Sequence, residues 1–136
     1  RNFNRVMIKK YLNKIGHVMV QKFLPKVKFG DKRVFILNGK VKGAIKRVPF
    51  KGSILSNISQ GGKATKTLLN KKELYLANFI ARKLKKKKIF FAGIDLISNY
   101  LIGDINITSP TGLPQYKNLT SINLAKNFWD EAEKLK

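Results

Sequence analysis

The sequence contains no cysteine and a single histidine, His17. Without thiols there is no disulfide, no thiolate metal centre and no cysteine nucleophile, and one imidazole cannot build a histidine cluster, so zinc chemistry is excluded. Acids are scarce as well: seven Asp and Glu stand against 29 Lys and Arg, a formal net charge of +22, and only Arg1, Arg5, Arg33, Arg47 and Arg82 among those cations are arginines. No apolar run approaches the roughly 18 residues that span a bilayer. Residues Arg1 to Gly16 also lack the apolar stretch of a secretory signal. A cytoplasmic protein with no membrane partner is the expectation. The sequence opens at Arg1 rather than methionine, which suggests a processed product or a fragment.

An excess of cations ordinarily points to nucleic acid, because clustered basic residues release counterions from phosphates. Here the cations are overwhelmingly lysine, spread along the chain among Ile, Asn and Phe. Lysine favours solvated surface, whereas base-edge and bidentate phosphate recognition favours arginine. A compositionally biased, solvated surface is therefore expected, and nucleic acid is not an expected partner. The run Lys85 to Lys88 follows a helical pattern and precedes an apolar strand, where the helix dipole favours positive charge. At 43% hydrophobic and 10% aromatic residues the chain is not globally disordered. Its 136 residues suit one domain or part of a larger one.

Val6, Met7, Tyr11 and Ile15 form one helical stripe that Gly16 stops. His17 to Leu24 reads as a strand closed by Pro25, and Arg33 to Leu37 as a second. Asn38-Gly39 is a tight-hairpin signal, with Val41 to Val48 returning as the partner strand. Residues 49–66, rich in Gly, Ser, Asn and Lys, are expected to be a long mobile loop of functional importance. Leu74, Ala77, Ala81 and Leu84 recur at helical spacing, predicting a helix over about 70–86 with Asn70 and Glu73 as its capping pair. Ile89 to Ile97 and Leu101 to Thr108 read as strands, Ser109 to Gly112 as a turn, and Ser121 to Leu135 as a last helix with Leu124, Phe128 and Ala132 on one face. His17 and Trp129 are assigned to packing. There is no internal repeat and no second domain.

Three of the seven acids, Asp130, Glu131 and Glu133, lie on the last helix, where solvation explains them. Asp95 and Asp104 sit among residues that want burial, where a carboxylate costs several kcal/mol unless it is paired. Strand alternation puts Asp104 and Asn106 on one face, and an even hairpin would bring Asp95 to the same face. Three hard oxygen donors would suit Mg²⁺ bridging to phosphates. The alternative is that both aspartates pair with lysines at the sheet edge.

Several segments together resemble bacterial glutathione synthetase. They are Val20 to Pro25 (VQKFLP), Gly30 to Val34 (GDKRV), Arg47-Val48-Pro49, Asn57 with Gly61-Gly62, Phe91 to Asp95 (FAGID) and Asp104 to Thr111 (DINITSPT), in matching order and spacing over residues 17–136. The resemblance implies an α+β fold: the C-terminal subdomain of an ATP-grasp domain, a mainly antiparallel sheet with helices packed on one side. It implies that residues 1–136 form a partial ATP-grasp domain, with residues 49–66 closing over the active site. It further implies that Gln21, Lys22, Phe23 and Leu24 form a hinge strand whose backbone meets adenine, with Asp31, Asn57, Gly61 and Gly62 also at the nucleotide. Arg33 and Arg47 would be catalytic, Arg47, Ser109 and Pro110 would face substrate, and Asp95, Asp104 and Asn106 would hold Mg²⁺, with Mn²⁺ as its substitute.

The implied reaction is ATP-dependent ligation of γ-glutamylcysteine to glycine through an acyl phosphate. The N-terminal substrate domain and the first ATP-grasp subdomain would lie outside this sequence, so the chain alone is expected to be inactive, with an exposed face open to self-association as a homo-oligomer. The family usually carries glutamate where Asp104 stands, and its hairpin between Asp95 and Asp104 is one residue shorter, which calls for a bulge or a different turn in one of the two. The segment Gly52 to Ser56 lacks the family's charged Glu and Arg. Two alternatives are another ATP-grasp carboxylate-amine ligase, such as a RimK-like or D-alanine ligase relative, and, from a different class, a basic nucleic-acid-binding module.

Overall fold

The computed structural model describes residues 4–50, 62–98 and 101–135. Its frame is an antiparallel sheet of β1 (Asp31–Leu37), β2 (Lys40–Val48), β3 (Lys63–Lys66), β4 (Phe91–Ile97) and β5 (Leu101–Asn106), ordered β3-β2-β1-β4-β5. β1 is central because Val34 to Leu37 form an unbroken apolar run, and such a run is stable only with both faces covered. All four are buried. The β1–β2 turn is the expected one: Asn38 and Gly39 adopt φ of 48° and 73°, the two positive values a type I′ hairpin requires.

Alternation along β1 divides the core in two. Val34 and Ile36 pack with Ala77, Ile80, Ala81 and Leu84 of α2 (Lys71–Lys86). Phe35, with Ile45 of β2, packs against Tyr116 of α3 (Leu113–Thr120) and Leu124 of α4 (Leu124–Ala132). The chain is thus α+β, but helices cover both faces of the sheet where one covered side was expected. The reason is that β1 is apolar on both sides. The N-terminus of α2 carries the capping box read from the sequence: Asn70 Oδ1 accepts from the Glu73 amide at 2.9 Å, and Glu73 Oε2 accepts from the Asn70 amide at 2.8 Å. Glu73 is buried and also accepts from Lys32 Nζ at 2.8 Å, which ties α2 to β1.

α1 (Arg5–Ile15) forms as expected, capped by Asn4 and stopped by Gly16 at φ 82°. It buries no residue, however, and its apolar stripe is exposed. Residues 17–24 are irregular rather than the expected strand: none of the five strands pairs with them, and a strand needs a partner ladder. Residues 51–61 of the expected loop lie outside the described residues, and its last four residues are β3. One helix was not anticipated. α3 starts just after Gly112, with Pro114 in its first turn, and Ser121 ends it at φ 63°. The last helix therefore begins only at Leu124, capped by Asn123. His17 and Trp129 are exposed, not packed, although the Trp129 ring meets Phe128 edge-on at 5.2 Å. Among the described residues no helix is long and apolar enough to cross a membrane.

α4 is tied to β2 by Lys42 Nζ donating to Glu131 Oε1 at 2.5 Å. That hydrogen bond, against the opposing pull of burial, holds the Glu131 carboxyl below its ordinary pKa. A lowered carboxylate pKa contributes stability above the unfolded value, about 4.3 for glutamate, and loses it as pH falls through the folded value. Glu131→Gln is expected to lower the urea midpoint at neutral pH by an amount worth no more than about 1 kcal/mol. The gap from the parent should close when the titration is repeated in acid below that value.

A buried arginine and aspartate network as candidate functional site

Sheet register builds the site. Asp31 lies opposite Arg47 across β1–β2, Arg33 opposite Asp95 across β1–β4, and Asp95 opposite Asp104 across β4–β5. Directly opposed residues share a face, here the face covered further along by α3 and α4. Asp31, Arg33, Arg47 and Asp95 are each no more than 8% exposed. Their formal charges cancel, two against two.

The guanidinium of Arg47 grips Asp31 in fork geometry, Nε to Oδ1 at 2.7 Å and Nη2 to Oδ2 at 2.8 Å. Arg33 does the same to Asp95, Nε to Oδ1 at 2.5 Å and Nη2 to Oδ2 at 2.9 Å. Arg47 Nη2 also lies 2.7 Å from Asp95 Oδ2 and joins the two pairs. Burial is the largest influence on the Arg47 guanidinium and lowers its pKa. The Asp31 hydrogen bond, with the charges of Asp95 and Asp31, outweighs burial and holds the group above its ordinary value. Two forked pairs of this kind fix both guanidinium planes.

The turn after β5 completes the surroundings. Arg33 Nη1 donates to the Thr111 carbonyl at 3.2 Å. A side chain on Gly93 would meet Arg33 Cδ at 3.0 Å and Pro110 Cβ at 3.1 Å, so a glycine there lets the arginine stem and the proline lie together. Asn106 Oδ1 accepts from the amides of Thr108 at 3.1 Å and Ser109 at 3.0 Å, which folds the turn back on β5. Tyr116 anchors α3 behind this turn, its ring edge-on to Phe35 at 5.5 Å. Two arginines held in place on a neutral base, with an exposed Asp104 beside them, suit a bound anion accompanied by a cation.

The family model for the ATP-grasp domain of prokaryotic glutathione synthetase matches residues 1–121. The chain belongs to that family. Relatives named glutathione synthetase include one from Prochlorococcus marinus subsp. pastoris, 46% identical over 104 residues, covering 76% of this chain and 34% of the relative. Another, from Rhodopseudomonas palustris, is 39% identical over 115 residues, covering 85% of this chain and 36% of the relative. A third, from Nostoc sp., is 36% identical over 134 residues, covering 98% of this chain and 41% of the relative. The chain thus spans well under half the length of these curated relatives.

Against the glutathione synthetase expectations, the structure gathers Asp31, Arg33, Arg47, Asp95 and Asp104 on one sheet face, with Ser109 and Pro110 in the adjoining turn. Gln21, Lys22 and Phe23 are exposed and irregular, and Leu24 is half-buried before a 3-10 turn over Pro25–Phe29. Asn57 and Gly61 lie outside the described residues, while Gly62 directly precedes β3. A cavity of about 380 Å³ beside the start of β1 is lined by Lys26, Phe29, Asp31, Lys32, Lys46 and Glu73 among others. It is set off from the arginines, and Asp31 is the expected nucleotide residue that borders it.

The oxygen donors fit Mg²⁺ in a particular way. An ionised carboxylate offers about four acceptor positions, and arginine nitrogens at Asp95 take one on Oδ1 and two on Oδ2. One position on Oδ1 remains. Asp104, opposite, makes no ion pair among the described residues. Asn106 has committed its carbonyl to the turn. One free carboxylate and one remaining acceptor position suit an ion that takes one or two carboxylates and completes its shell with phosphates and water.

Reading the sequence found the acids but not their partners. Lysines were the expected alternative for Asp95, and it is held by Arg33 and Arg47. Thr111 lay within the Asp104 to Thr111 segment but was given no role, since a backbone carbonyl leaves no mark on composition.

Proposed function

We propose that this chain supplies one wall of the nucleotide site of a glutathione synthetase. The reaction joins γ-glutamylcysteine to glycine: the γ-phosphoryl group of ATP passes to the peptide carboxylate with ADP leaving, and the glycine amine attacks the acyl carbon, expelling phosphate and losing a proton. The observation that carries this reading is the neutral Asp31, Arg47, Asp95 and Arg33 network with Asp104 beside it. Phosphoryl transfer needs fixed positive charge around oxygens that gain charge in the transition state. Arg33 and Arg47 are oriented for that task by their aspartates, which cancel the pair's formal charge, so the net positive charge would come from the bound cation.

Mg²⁺, or Mn²⁺ in its place, held by Asp104 and Asp95 would supply charge neutralisation of the ATP phosphates. Asn106 supports it by shaping the turn, and Ser109 and Pro110 border the substrate side. Gln21 to Leu24 offer backbone donors and acceptors to adenine, and Asp31 sits at the nucleotide's edge.

The test is a calorimetric titration of the chain with Mg-ATP in moderate salt, where diffuse attraction between lysine and phosphate is screened. Binding that requires Mg²⁺ and falls at least about tenfold in Asp104→Asn is expected. Salt-sensitive binding indifferent to both would sink the reading.

A further inference from the structure

The face of the sheet opposite the arginine network is covered by α2, whose outer side carries cations and aromatic rings together. Its inner side is spent on Glu73, Ala77, Ile80, Ala81 and Leu84, which are buried. At about 100° per residue, Lys71, Lys72, Tyr75, Phe79, Arg82, Lys83 and Lys86 fall within about 120° of arc on the other side, and all seven are exposed. No acid shares that arc. Lys71, Arg82, Lys83 and Lys86 have no ion-pair partner among the described residues. The two aromatics lie a helical turn apart, Tyr75 at 72% and Phe79 at 44% exposure, and Lys83 Nζ sits 5.4 Å from the Phe79 ring centre. The stripe runs for about 22 Å at the usual helical rise.

We infer that the outer face of α2 is a binding surface for single-stranded nucleic acid. Cations alone would be a solvated face, which is how the lysines read when position is ignored. Aromatic rings interleaved with unpaired cations are what a single strand uses: phosphates lie against the charges and unstacked bases against the rings. A duplex hides its base faces and can use only the charges. A membrane-surface helix must insert an apolar face, and the apolar face of α2 is locked in the core. An acidic polypeptide would satisfy the cations but leave Tyr75 without a role. This surface is independent of the proposed ligase site, since it lies on the other side of the sheet.

The experiment measures anisotropy of a labelled single-stranded oligonucleotide of about 16 residues titrated with the full chain at about 0.15 M salt. Lys71→Gln, Lys83→Gln and Lys86→Gln together should weaken binding at least about tenfold, and Tyr75→Ala alone about fivefold. The matched control Lys9→Gln, Lys10→Gln and Lys14→Gln on α1 should change it less than about twofold. Circular dichroism confirms that each variant folds. Equal losses in the two triple variants would show diffuse charge and overturn the inference. So would duplex or polyglutamate binding as tight as the single strand, binding to phosphatidylserine vesicles lost in the same variants, or indifference to Tyr75→Ala.

Discussion

Asp95→Ala is expected to lower stability by about 3–5 kcal/mol, the usual consequence of removing one partner from a buried ion pair. Arg33 would lose both members of its fork and Arg47 would lose its bridge to the second pair, leaving a buried excess of positive charge near Thr111 and Pro110. Asp104, across the strand, is exposed and makes no ion pair among the described residues, so Asp104→Asn should stay within about 0.5 kcal/mol of the parent. Urea titrations of the two variants separate roles that adjacent aspartates on a sheet face would otherwise share: one holds the arginines, the other is available to a cation. A parent-like midpoint for Asp95→Ala would mean that the arginines find other partners, and the network would lose its claim to hold them.

The elements of this fold were largely legible and their register was not. Alternation and the Asn38-Gly39 turn are local signals, and both hold. A two-residue turn, however, sets Leu37 opposite Lys40 and Ile36 opposite Val41. Continued without interruption, it would place Asp31 opposite Lys46 and turn Arg47 to the other face. A bulge intervenes, with Phe35 opposite Gly43, so that Lys42 is the extra residue and Arg47 comes round to Asp31. The same happens beyond β4. Leu96 faces Ile102 and Asp95 faces Asp104, so Gly103 is the extra residue; without it Asp104 would face away from Asp95. A one-residue slip reverses every side chain on a strand, and bulges commonly re-aim side chains beside active sites. The one-residue difference from the family called for a bulge or a different turn in one of the two, and β5 has a bulge. Nothing in the sequence marks Lys42 as its counterpart, so the carboxylates could be found by scarcity while their arginine partners could not.

Gly30→Ala is expected to be as damaging as any core truncation, at about 3 kcal/mol or more. The glycine stands at φ 88° and ψ −175°, a region that side-chain-bearing residues essentially do not enter. Its added Cβ would lie 2.0 Å from the Arg47 carbonyl oxygen and 3.1 Å from Val48 Cα. Those are backbone atoms, so no rotamer change relieves the contact. Gly30 also closes the 3-10 turn through its amide to the Val27 carbonyl at 2.8 Å, immediately before Asp31 enters β1. The junction therefore sets where Asp31 meets Arg47, which gives the glycine of the Gly30-Asp31-Lys32-Arg33 segment a physical reason. Gly16→Ala is the matched comparison: φ is 82° there too, but nothing lies within 4 Å, and α1 buries no residue. Gly16→Ala should leave the urea midpoint unchanged while Gly30→Ala lowers it sharply. Equal midpoints in the two variants would mean that β2 yields at Arg47, and that the arginine is not held by the close approach of these two backbones.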